Sequence, residues 1–94
     1  MASNNLIASV TYKCTTEDGI EYNLTGELRK SASFQYGNGT ALKLQEEGFS
    51  PMVFDSRYDS RFGTAEKFYK NILEFMKEHY DISKSELIRK GAES

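Results

Sequence analysis

Over residues 6–14 the chain alternates between apolar and polar positions. Leu6, Ala8, Val10, Tyr12 and Cys14 share one parity, and Ser9, Thr11 and Lys13 share the other. A period of two is that of a strand with one dry face and one wet face. Thr15-Thr16-Glu17-Asp18-Gly19 follows, and Asp-Gly is a hairpin signal because glycine accepts the positive φ of a tight turn. Ile20, Tyr22, Leu24, Gly26 and Leu28 then alternate with Glu21, Asn23, Thr25, Glu27 and Arg29. The two segments are expected to pair as an antiparallel hairpin with one face buried.

Residues 29–33 read as a loop. Residues 34–36 and 40–44 are strand-like and flank Gly37-Asn38-Gly39. Residues 33–45 therefore form either a second tight hairpin or one longer strand with a glycine bulge. Residues 46–51, with Gly48 and Pro51, read as a turn, and residues 52–58 as a further strand.

At Thr64 the period changes. Ala65, Phe68, Tyr69, Ile72, Leu73, Phe75, Met76 and Tyr80 recur at the spacing of one helical face. Thr64 is a suitable N-cap, and Glu66 in the first turn opposes the positive end of the helix. Phe75 lies off the main stripe and widens it, as a homodimer seam or a groove for a partner would. Asp81-Ile82 breaks the pattern, and Ser83-Lys84-Ser85-Glu86 matches a capping box for a short terminal helix through Leu87 and Ile88.

Strands first and helices last is the α+β pattern. The expected fold is a curved antiparallel sheet of three to five strands packed against a long C-terminal helix, with a short terminal helix after it. It forms a single domain over residues 1–94, frayed at 1–5 and 91–94.

Composition narrows the function. The chain has 94 residues, 12 basic and 14 acidic side chains and a net charge of −2. So even a balance lacks the strongly basic footprint of a generic nucleic-acid coat and the dense acidity of a nucleic-acid mimic. One cysteine, Cys14, excludes an internal disulfide, and with one histidine, His79, no Cys/His zinc site can be built from one chain. No cofactor and no metal are expected. No apolar run is long enough to span a membrane, and no secretory leader is recognisable, so the expected location is cytoplasmic.

The most distinctive segment is Phe54-Asp55-Ser56-Arg57-Tyr58-Asp59-Ser60-Arg61-Phe62, in which Asp-Ser-Arg occurs twice, four residues apart. In extended form Phe54, Tyr58 and Phe62 share one face, and Asp55, Arg57, Asp59 and Arg61 the other. Arg57 and Arg61 then form a two-pronged clamp for a carboxylate or phosphate just before a helix N-terminus, or the aspartates neutralise them in a surface ladder. The ladder is the better-supported of the two.

The remaining constellations are weaker. Tyr12, Tyr22, Phe34 and Tyr36, with Lys13, Arg29, Lys30 and Lys43 nearby, suit base stacking if they lie on the open sheet face. The parity of Tyr12 and Tyr22 places them with the core instead. A Cys14–His79 dyad would suit nucleophilic chemistry, against an inert buried thiol and a histidine favoured by a helix C-terminus. Glu17-Asp18 and Glu46-Glu47 lack the ligand spacing of a hard-cation loop.

With no set of catalytic groups, the expected function is that of a small non-catalytic protein–protein interaction module. Arg57, Tyr58 and Arg61 are the expected contact patch, since Tyr and Arg anchor interfaces. The expected context is a phage or mobile element, where modules of this size act as inhibitors or accessory proteins. Two other readings compete. One is single-stranded nucleic-acid binding on the sheet face with Arg57 and Arg61 on phosphates. The other is an enzyme assembled across a homodimer around His79.

Overall fold

The computed structural model describes residues 5–30 and 39–91. Among the described residues five strands and one helix follow in the order β1 (Leu6–Thr15), β2 (Glu21–Lys30), β3 (Thr40–Glu46), β4 (Met52–Asp55), α1 (Ala65–His79) and β5 (Lys84–Lys90), with a 3-10 turn at Ser60–Phe62 before the helix. The fold is α+β. The strands form one antiparallel sheet in the order β4-β3-β2-β1-β5, and α1 packs across one face of it.

The alternation seen in the sequence becomes the two faces of this sheet. Ala8, Val10 and Cys14 of β1, Leu24 and Leu28 of β2, and Leu42 and Leu44 of β3 are buried on the helix side. Phe68, Ile72, Phe75 and Met76 of α1 meet them. Each Val, Leu, Ile, Phe or Met side chain among them taken out of water is worth about 1.5–3 kcal/mol. Gly26 lets the helix approach, since a Cβ there would stand 2.8 Å from Met76 Cε and 3.2 Å from Ile72 Cγ1. Thr64 caps α1 as expected, its hydroxyl accepting from Lys67 N–H at 3.2 Å. Gly19 closes the β1–β2 turn at φ +90°.

Three expectations are corrected. The terminal helix is absent: residues 84–90 form β5, an edge strand antiparallel to β1. The Ser-Lys-Ser-Glu signal is local, whereas β1 offers a row of ladder partners, and Ser83 N–H donates to Thr15 O at 2.7 Å as β5 begins. Leu87 and Ile88, being adjacent, also make no helical stripe to bury. The strand expected over residues 52–58 stops at Asp55. Phe75 does not widen an outer surface: it is 7% exposed and packs edge-on against Phe54 and Phe62, with ring centroids 4.9 and 5.3 Å away. Asn5 O accepts from Lys30 N–H at 2.8 Å and Gly91 N–H donates to Ser9 O at 2.9 Å; the rest of the ends expected to fray, residues 1–4 and 92–94, lies outside the described residues. The strand pairing at residues 34–38 lies outside the described residues.

The other face of the sheet is polar. Thr11 and Thr25 share a hydroxyl–hydroxyl bond of 2.9 Å at its centre. Around them lie the pairs Lys13–Glu21 at 3.4 Å and Arg29–Glu27 at 2.8 Å. A groove of about 660 Å³ lies there, lined in part by Asn23, Gln45, Glu47 and Arg89.

Candidate functional site

The doubled Asp-Ser-Arg segment links β4, at one edge of the sheet, to α1. It is not extended. Each repeat folds into the same local device. Asp55 Oδ1 accepts from the backbone N–H of Arg57 at 3.0 Å, and its carboxylate takes Arg57 Nε at 3.0 Å and Nη2 at 2.7 Å. Asp59 does the same four residues on: Oδ1 accepts from Arg61 N–H at 3.0 Å and Nε at 3.1 Å, and Oδ2 from Nη2 at 2.8 Å. A short acidic side chain can close such a turn on the residue two positions later, and a guanidinium fork fits the same carboxylate. The arginine N–H groups hold both carboxyls below the usual carboxylate range.

The two copies then diverge. Arg57 is the more buried of the two, with 13% of its side chain exposed. Its stem fills the space beside Gly39, where a Cβ would overlap its Cγ. Ser56, 3% exposed, ties the segment to β3 through its Oγ, 2.7 Å from Thr40 Oγ1. Arg61 is more open. Its Nη1 donates to Glu78 Oε2 of α1 at 3.2 Å, and its guanidinium carbon sits 5.1 Å from the ring centre of Phe62 and 5.5 Å from that of Phe75. Asn71 Nδ2 donates to Arg61 O at 3.2 Å.

Between the two devices stands Tyr58, 88% exposed, with the Arg57 guanidinium carbon 5.3 Å from its ring centre. Of the three residues singled out in the sequence, Tyr58 is the surface group, Arg61 its partly exposed neighbour in the chain, and Arg57 the buried support. Both guanidiniums are occupied by carboxylates, so the arrangement is that of the neutralised ladder and not of an open clamp. Thr40 and Gly39, which anchor the turn together with Ser56, were not legible as part of it. Of these two only Gly39, the glycine of the Asn38-Gly39 pair, carried a signal, and it pointed to a hairpin.

The other constellations separate in space. Cys14 is fully buried on β1, its Sγ 3.9 Å from Tyr12 O, and burial pushes its thiol up. His79 lies by β4, its ring 4.7 Å from both Phe54 and Phe75. Two strands separate β1 from β4 in the sheet, so the dyad is not assembled. Tyr12 and Tyr22 pack against the core on the helix side, and Tyr22 Oη donates to Asp81 O at 2.8 Å. The stacking platform considered for the open sheet face therefore loses both; Phe34 and Tyr36 lie outside the described residues.

Among the described residues no three His, Cys, Asp or Glu side chains gather as a metal site would need, and no helix is long and apolar enough to cross a membrane. Comparison with known proteins adds no family to this geometry: no family model, no curated protein and no solved structure matches the chain.

Proposed function

We propose that the chain is a small non-catalytic protein-interaction module of the cytoplasm whose contact surface is the turn that presents Tyr58. The observation that carries this reading is the exposure of Tyr58, 88%, on a segment held by two carboxylate–guanidinium forks. A large aromatic side chain standing in water on a fixed backbone loses little freedom when a partner covers it, which is the condition for a strong anchor. Arg61, three residues on, adds a partly exposed guanidinium that Asp59 and Glu78 already pair. A role as an inhibitor or accessory protein of a phage or mobile element is part of this proposal.

The test is capture of partners from a lysate of the source cells with the tagged chain, in parallel with Tyr58→Ala, with and without nuclease. The expected result is a stoichiometric protein that survives nuclease and is lost with Tyr58→Ala. Capture that ignores the substitution would overturn the assigned surface. Recovery that collapses with nuclease would replace this reading with single-stranded nucleic-acid binding.

A further inference from the structure

The two edges of the sheet differ. β4 has four residues, whereas β5 has seven, all of them exposed. A strand edge is a row of backbone donors and acceptors that another strand can pair with. At the middle of β5 stand Leu87 and Ile88, 48% and 53% exposed.

The register against β1 fixes the face that each β5 residue takes. Ser85 opposes Cys14 and Leu87 opposes Tyr12, on the helix-bearing face; Lys84 opposes Thr15 and Glu86 opposes Lys13, on the open face. The register then steps from Tyr12↔Leu87 to Thr11↔Arg89, so Ile88 is an extra residue. Ile88 and Arg89 both line the open-face groove with Thr11, while Lys90 sits on the other face with its Nζ 5.0 Å from the ring centre of Tyr69. In a regular strand Glu86 and Arg89 would differ in parity and point to opposite faces. The bulge puts them on the same one. Among the described residues neither has an ion-pair partner within the chain.

We propose that β5 is a self-complementary edge that pairs antiparallel with β5 of a second copy, about a two-fold axis through Leu87. In that register Leu87 meets Leu87 on the helix-bearing face. On the open face each Ile88–Arg89 bulge opposes Glu86 of the other copy, which makes two Glu86–Arg89 pairs across the axis. Lys90 opposes Ser85. Without the bulge the same axis would set Lys84 against Lys90, a destabilising opposition of like charges. The extra residue thus converts a self-repelling edge into a self-matching one. The Tyr58 turn follows β4, at the far edge of the sheet, so the dimer leaves both copies of it uncovered.

Sedimentation equilibrium on the full chain tests the pairing. The wild type is expected to dimerise with a dissociation constant between about 1 and 100 µM, as a small strand-to-strand interface implies. Glu86→Arg alone and Arg89→Glu alone each oppose like charges and should weaken the dimer about tenfold or more. An equimolar mixture of the two variants should recover it, because each strand then carries the charges that the other lacks. Circular dichroism checks that both exposed substitutions leave the fold intact. Backbone amide exchange in the wild type gives a readout without substitution: amides of residues 84–90 should slow as concentration rises. A wild type that stays monomeric up to about 500 µM overturns the proposal. So does a dimer that both single variants leave unchanged, or a mixture that fails to reassociate.

Discussion

The aliphatic stem of Arg57 lies in the space that a side chain at Gly39 would occupy. Gly39 stands just before β3 and Arg57 just after β4, so the contact locks the edge hairpin beside the Thr40–Ser56 bond. Glycine is needed here for close approach. Gly39→Ala should expel Arg57 from its seat, strain its fork with Asp55 and cost about 1–3 kcal/mol, as overpacking does. Urea unfolding measures this, and an unchanged midpoint would show that the contact is dispensable.

Tyr58 and Phe62 are four residues apart and 88% and 0% exposed. Phe62→Ala empties a buried site against Phe68 and Phe75 and should cost about 3–5 kcal/mol. Tyr58→Ala should change stability by no more than about 0.5 kcal/mol. Paired thermal melts decide the matter; a large loss for Tyr58→Ala would make it a structural residue and not a presented one.

Gly26→Ala brings a methyl group to 2.8 Å from Met76 Cε and 3.2 Å from Ile72 Cγ1. The expected cost is about 1–3 kcal/mol, relieved in part by trimming Met76. A double-mutant cycle with Met76→Ala should show coupling between the two positions. Strict additivity would mean that the helix does not press on β2 as described.

Asp55 and Asp59 titrate below the ordinary carboxylate value because their arginine partners bond the charged form. A folded pKa below the unfolded one contributes stability that is complete above about pH 4 and is lost as pH falls through the folded values. Carbon-detected NMR titration of the aspartate carboxyls checks the direction. Midpoints at or above those of a free aspartate would dissolve the two forks.

Tyr12, Tyr22 and Tyr80 titrate above the ordinary value of 10.0, in each case chiefly because burial disfavours the phenolate. Their contribution to stability is fully present below pH 10 and is lost as alkali ionises the unfolded chain first, up to the raised folded values. Ultraviolet titration should show a late phase that Tyr22→Phe diminishes. A single phase at the free-tyrosine position would contradict the burial of these rings.

The elements read from local pattern are those whose signals were local. The alternation in β1 and β2, the Asp18-Gly19 turn and the Thr64 cap each depend on residues a few positions apart, and all three appear in the fold. β5 was missed because its seven exposed residues carry no alternation, and its stabilising partner, β1, lies at the other end of the chain. The site was half legible. The repeated Asp-Ser-Arg showed that acids and arginines would meet, and the neutralised pairs follow from that. Which arginine would be buried depended on Gly39, and no spacing along the chain connects Gly39 to Arg57.

The placement of β5 beside β1 also orders events in time. The pairings β1–β2, β2–β3 and β3–β4 each join neighbours in sequence, so the four strands can zip together as they emerge. The β1–β5 pairing closes a loop that contains the other strands and the helix, and the entropy of that closure must be lost before its bonds form. On a ribosome β1 is made first and keeps a bare edge until β5, the last of the five to be made, clears the exit tunnel. Completion of the sheet therefore waits on β5, and the nascent chain is most exposed to wrong strand partners until β5 docks.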